Sequence, residues 1–222
     1  MTSIAAFFAY LGENGSQILI LAEQHATLSL IGMAIGILSA LPLGIAVSRK
    51  PRLGAVVVGV ADMLYTIPSL ALLGILAHYI GFGRPPVIVA LAVYSWLPIL
   101  RHTVAGLGGV DPSAKEAAKG MGATRRQVLV RVELPLALPV IMSGIRTVAV
   151  LTVGITTMAA LVGAGGLGVM IFQGITMMDN AVTLAGTLPV AAMAIILDQG
   201  IGLAERWFRA RIGSVSESLR DG

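Results

Sequence analysis

Cysteine is absent from this 222-residue chain, so disulfides and thiolate metal sites are excluded. Histidine is almost as scarce: His25, His78 and His102 lie far apart, with no spacing that would bring ligands onto one metal. Charged residues make up only 12%, against about 25% in an ordinary soluble domain. No basic residue precedes Arg49, so the positive n-region of a cleavable signal peptide is missing and the first apolar run is expected to be retained. No Gly-x-x-x-x-Gly-Lys-Ser/Thr occurs, so no P-loop binds a nucleotide. What is abundant is apolar: 56% of the residues are hydrophobic, mean hydropathy is +0.90, and there are 27 glycines. One aqueous core cannot bury that much apolar surface, and glycine suits close helix packing in lipid.

The apolar runs are read as five spans, each needing roughly 20 residues to cross a bilayer. They cover about 27–47, 53–80 (interrupted by Asp62 and Pro68), 86–100, 136–162 and 181–204. Ser16 to His25 is either an interfacial helix or an extension of the first span. The basic residues orient the chain. Arg49, Lys50, Arg52, Arg101, Lys115, Lys119, Arg125, Arg126, Arg131, Arg206, Arg209, Arg211 and Arg220 share one side if the N-terminus is outside. Arg84 lies outside, and Arg146 near the start of the fourth span. This positive-inside bias predicts N-out, C-in. The net charge of +4 is scattered between apolar blocks, which sets topology rather than marking a nucleic-acid surface.

The longest polar stretch, 101–135, carries local start and stop signals. Asp111 suits an N-cap and Pro112 the first helical position; Ser113 with Glu116 offers a second capping box. Ala114, Ala117 and Ala118 give a small-residue surface, and Gly120 and Gly122 end the helix. Thr124 and Gln127 start a second helix, expected to run through Val132 and to stop at Pro135. Such a loop is either a well-capped connector or a rigid lever whose small residues admit a partner's groove.

The spacing favours the lever. Glu116-Ala117-Ala118, three residues, Gly122, nine residues, then Val132-x-Leu134-Pro135 resembles the EAA signature of type I ABC importer permeases, with Val132 where Ile is usual. The resemblance extends to Pro42-Leu43-Gly44, Ile67-Pro68-Ser69, Leu134 to Pro139, Gly144-Ile145-Arg146-Thr147 and Gly163 to Gly168, which look like the osmoprotectant branch. That branch imports glycine betaine, carnitine, choline or related quaternary amines; a methionine-type amino-acid permease is the alternative.

The resemblance implies an all-α, polytopic membrane protein of the type I ABC importer fold, with a cytoplasmic EAA coupling helix. Residues 1–26 form an outer segment, 27–204 the transmembrane domain and 205–222 a cytoplasmic tail. It implies a multi-pass protein of the bacterial or archaeal cell (inner) membrane. Glu116, Ala117, Ala118, Gly122, Leu134 and Pro135 are the expected ATPase-coupling residues. The implied partners are two copies of a cytoplasmic ABC ATPase, which bind ATP and Mg. A second permease, identical or homologous, and a separate extracytoplasmic substrate-binding protein complete the assembly. Tyr65, Tyr79, Tyr94 and Trp96 form no local aromatic cage, which argues that selectivity sits mainly in that receptor.

Gly163, Gly165, Gly166 and Gly168 are read either as an ordinary outer loop or as part of an outer gate. Met158, Met170, Met177 and Met178 beside them are read as packing. Asp62, Arg146 and Asp198 are intramembrane polar residues, and matching depth suggests an Asp62–Arg146 pair. Neither aspartate has the context of an intramembrane aspartyl protease, so no catalytic residue is assigned. An ion-coupled secondary carrier would show internal repeats, which are not seen.

Overall fold

The computed structural model describes residues 3–218, with side-chain surroundings for 7–208. The side chains of Arg209 and Arg211, and the whole of Arg220, lie outside the described residues. Every described element is helical. Helix α1 is Ser3–Ser48, α2 Pro51–Thr66, α3 Ser69–Ile80 and α4 Arg84–Gly108. Two short helices follow, α5 Pro112–Gly120 and α6 Arg125–Val128. A π-helical turn, Leu129–Glu133, then leads into α7, Leu134–Thr156. A 3-10 segment Thr157–Val162, α8 Gly168–Met177 and α9 Asn180–Ser218 complete the chain.

Four helical stretches are long and apolar enough to cross a membrane, or five if the bent pair α2–α3 counts as one span. The bend between α2 and α3 is 91°. It falls where Pro68 lacks an N–H and holds Ile67 in an extended conformation (ψ 125°). The Tyr94 hydroxyl donates to the freed Ile67 carbonyl, so the bend is satisfied from α4. Helix α1 has 46 residues with a break at Asn14. The part after the break alone, at 1.5 Å per residue, is about 50 Å long, more than the roughly 30 Å hydrocarbon core. Ser16 to His25 therefore extends the first span, as a continuous helix. Asn14 (φ −115°, ψ 15°) breaks the helix, and before it Phe7, Tyr10 and Leu11 pack with Leu167, Met170 and Val182.

Helix α4 is the centre of the molecule. It packs on α1, α2, α3 and α7, and Leu91, Leu97, Ile99, Leu100 and Leu107 are buried along it. The α1–α4 crossing is close because α1 presents Gly32 and Gly36. A Cβ at either would overlap Leu91 or Ser95, the arrangement that small-xxx-small spacing permits in lipid. Helix α4 also runs on through Arg101 to Gly108, so the first eight residues of the polar stretch are helical and continuous with the third apolar run.

Pro135 does not stop the helix. It occupies the first turn of α7, and the wider π-helical turn Leu129–Glu133 precedes it. A proline removes one ladder hydrogen bond and crowds the carbonyl four residues back; an i→i+5 turn there relieves both, so the chain stays helical from Arg125 to Val162.

Candidate functional site

Two regions hold the residues singled out by sequence. The first is the surface formed by α5, its terminal turn and α6. The Asp111 carboxylate accepts the Ser113 N–H at 2.8 Å, which makes Asp111 the N-cap and leaves Ser113 inside the helix rather than capping a second start. That hydrogen bond holds the Asp111 carboxyl below the usual carboxylate range. Lys115 Nζ reaches the Leu107 carbonyl at 3.3 Å and ties α5 to the end of α4. At the other end the Ala123 N–H donates to Ala118 (3.0 Å) and the Gly122 N–H to Lys119 (2.9 Å), a closure that needs a left-handed residue at Gly122 (φ 82°). Thr124 and Gln127 then exchange both capping-box bonds, at 2.7 and 3.3 Å.

These local bonds leave one open face. Ala118 is buried, whereas Glu116, Ala117 and Gly122 are exposed and Met121 is 83% exposed. A cleft of about 330 Å³ lies against the turn, lined by Ala118, Met121, Gly122, Gln127, Arg131 and Val132 among others. Nothing within the chain approaches the space a Gly122 side chain would fill. Leu134 and Pro135 are set apart from this face. They line an apolar groove with Leu41, Leu138 and Phe208 at the α6–α7 junction. Arg49, at the end of α1, donates to Glu133 at 2.8 Å and to the Arg125 carbonyl at 3.3 Å, joining the surface to the first span.

The second region is the glycine-rich turn. Gly163, Gly165 and Gly166 have φ of 72°, 85° and 85°, conformations that side chains disfavour. Gly166 and Gly168 are buried, and a Cβ at Gly168 would overlap the Thr157 backbone. This is no free-standing loop. The Gly166 N–H donates to Gln24 Oε1 (3.1 Å), the Gly83 N–H to the Val162 carbonyl (2.7 Å), and His25 Nε2 lies 2.9 Å from the Val153 carbonyl. The Ser29 hydroxyl is 2.9 Å from both the His25 carbonyl and the Thr156 hydroxyl. Sequence reasoning missed Gln24, His25, Ser29 and Thr156, because their partners lie over a hundred residues away. Met170 is buried here, but Met177 and Met178 are exposed.

The expected Asp62–Arg146 pair does not form. Asp62 binds Arg101 through both carboxylate oxygens, at 2.6 and 2.7 Å, and Arg146 pairs with Asp198. Arg101 opens the polar stretch in sequence, but the extension of α4 makes it helical and places it beside Asp62. Both pairings neutralise charges within apolar helices, where an unpaired charge is costly.

A bundle of long apolar helices around a buried central one, with a short capped helix pair at one end, is the architecture of a multi-pass membrane protein. The chain belongs to the family described as binding-protein-dependent transport system inner membrane component, which it matches over residues 32–211. It is a type I ABC importer permease. It is 41% identical over 197 residues to the choline transport system permease protein OpuBB of Bacillus subtilis, covering 89% of this chain and 91% of that one. It is 40% identical over 222 residues to the carnitine transport permease protein OpuCB of Listeria monocytogenes, covering 100% of both. The osmoprotectant import permease protein OsmW of Salmonella typhimurium is 39% identical over 194 residues, 85% of this chain and 90% of that one. Among solved structures, the inward-facing MetNI methionine ABC transporter matches with a TM-score of 0.76 at 24% identity, covering 86% of this chain and 95% of that chain. At that identity the likeness speaks for the fold.

Proposed function

We propose that this permease forms the pathway for a quaternary-amine osmoprotectant such as glycine betaine, carnitine or choline. The reading is supported above all by relatives about 40% identical over nearly the whole chain, named for choline and carnitine transport. The methionine-type alternative is less favoured, since its support is a fold likeness at 24% identity. The chain crosses the membrane five times, N-out and C-in, with α2–α3 as one bent span. It works beside a second permease copy, identical or homologous. Two ATPase subunits bind ATP and Mg on the cytoplasmic side, and a separate extracytoplasmic protein delivers the solute in a bacterial or archaeal cell membrane.

Coupling runs through the α5–α6 surface. Glu116, Ala117, Ala118 and Gly122 seat in a groove of the ATPase: the small residues allow close approach and Glu116 fixes orientation by charge. Leu134 and Pro135 act one step later, passing the movement through the π-helical turn into α7. Arg49 carries part of it to α1. At the other end, Gly163, Gly165, Gly166 and Gly168 form a gate that changes its hold on Gln24 and His25 as the pathway alternates between its two faces.

The test uses the importer reconstituted with its ATPase and receptor. Uptake of labelled glycine betaine or choline should require ATP, and Gly122→Val should leave ATP hydrolysis uncoupled from uptake or prevent ATPase association. A β-branched residue at that φ costs about 1–2 kcal/mol in backbone strain and intrudes on the open face. Gly122→Asn, which tolerates the left-handed region, should be milder. Unimpaired coupling in Gly122→Val and Glu116→Lys would remove the coupling role. Uptake that persists without ATP, driven by an ion gradient, would overturn the ATP-driven reading.

A further inference from the structure

A pocket of about 280 Å³ opens between α1 and the start of α4, lined by Ile20, Glu23, Gln24, Thr27 and Arg84. Arg84 is the basic residue that the charge distribution sets apart from the others, and an acid, Glu23, lines the same pocket. The ion pairs among the described residues are Arg49–Glu133, Arg101–Asp62 and Arg146–Asp198; Glu23 and Arg84 belong to none of them. The two charged residues thus line one cavity without forming a direct ion pair. The rest of the lining is a hydroxyl (Thr27), an amide (Gln24) and the half-exposed side chain of Ile20. The volume is just below the roughly 300–1,000 Å³ typical of drug-sized ligand sites, which suits a smaller solute.

We infer that this pocket is an entry site for a small dipolar ion, in which Arg84 takes the carboxylate and Glu23 the quaternary ammonium. The inference rests on the osmoprotectant reading above and adds where, and by which groups, the solute is first held. Arg presents a planar fork suited to a carboxylate, whereas a methylated ammonium donates no hydrogen bond and needs only an opposite charge and apolar contact. No aromatic ring lines the pocket, so the hold is weak, as a transit site requires. Gln24 is both a wall of the pocket and the acceptor for the Gly166 N–H (3.1 Å), so the site adjoins the glycine turn. A shift of that turn therefore alters the pocket.

The experiment compares glycine betaine, a dipolar ion, with choline, which carries the ammonium but no carboxylate. Both are assayed with the reconstituted importer at saturating receptor and low ionic strength. Arg84→Gln should lower the ratio of betaine to choline uptake by about two- to fivefold, the range an exposed charge contact supplies. Glu23→Gln should lower both, and both effects should shrink at high salt. Thr27→Trp, which fills the pocket without altering charge, should reduce both solutes in assembled complex of normal yield. An unchanged ratio in Arg84→Gln, with uptake by the unmodified importer intact, overturns the site alone. A proportional loss of both solutes in Arg84→Gln that appears only when receptor is lowered below saturation makes Arg84 a docking contact and also overturns it. Absence of uptake of either solute by the unmodified importer overturns the substrate reading and the site with it.

Discussion

Asp111 shows how much of the α5–α6 surface depends on single polar atoms. A helix of nine residues is too short to persist on its own, so its first turn needs a partner for its free N–H groups. The carboxylate supplies one, and the bond it makes with Ser113 holds its carboxyl below the ordinary value. A carboxyl whose folded value is depressed contributes stability that is present above the unfolded value and lost as pH falls through the folded one. Protection of the Ser113 amide from exchange, measured against the unstructured rate at the same pH, should therefore be present at neutral pH and fall on acidification below the normal carboxylate range. In Asp111→Ala it should be lost throughout, whereas in Asp111→Asn, which also caps, it should persist and lose the pH dependence. Equal protection in the native chain and Asp111→Ala at neutral pH would remove the cap from the account.

At the scale of helices, the ion pairs fix how neighbours register. Arg146 on α7 and Asp198 on α9 neutralise each other, and Asp62 on α2 does the same with Arg101 on α4. Asp198→Asn should lower the thermal stability of the purified permease by stranding Arg146. Adding Arg146→Gln should restore part of it, since two neutral groups cost less than one bare charge. Asp62→Asn combined with Arg146→Gln should behave additively, because those residues do not meet. Non-additivity there would reinstate the pairing expected from depth alone. Depth is what a sequence conveys about such residues; which helix lies next to which is not carried by local spacing. Hence the caps at Asp111 and Thr124 and the turn at Gly122 were legible, each being settled within four residues. The partners of Asp62, Gln24 and His25 were not. Pro135 failed for a related reason: the rule that proline ends a helix is local, and the π-helical turn ahead of it, continuous with a long packed helix, overrode it.

For the whole molecule, function depends on which side of the membrane each end of the bundle meets. The two candidate regions lie apart along the chain, the α5–α6 surface between α4 and α7 and the glycine turn between α7 and α9. An intervening span of α7's length, 23 residues or about 35 Å, is enough to put them on opposite sides of a bilayer. The proposed orientation puts the first region inside, because Arg125, Arg126 and Arg131 cluster with it while 163–180 contains no lysine or arginine. Because the chain has no cysteine, one introduced thiol reports its own location without background. Met121 and Met178 suit this, being 83% and 92% exposed beside the two regions. In sealed cells, a membrane-impermeant thiol reagent should label Met178→Cys and spare Met121→Cys; in inside-out vesicles the pattern should reverse. Labelling of Met121→Cys from outside would invert the topology, and with it both the coupling role of Gly122 and the entry site at Arg84. Labelling of both from the same side would leave the orientation of the N-terminus open to the positive-inside rule but would break the single crossing by α7 on which the lever-to-gate connection depends.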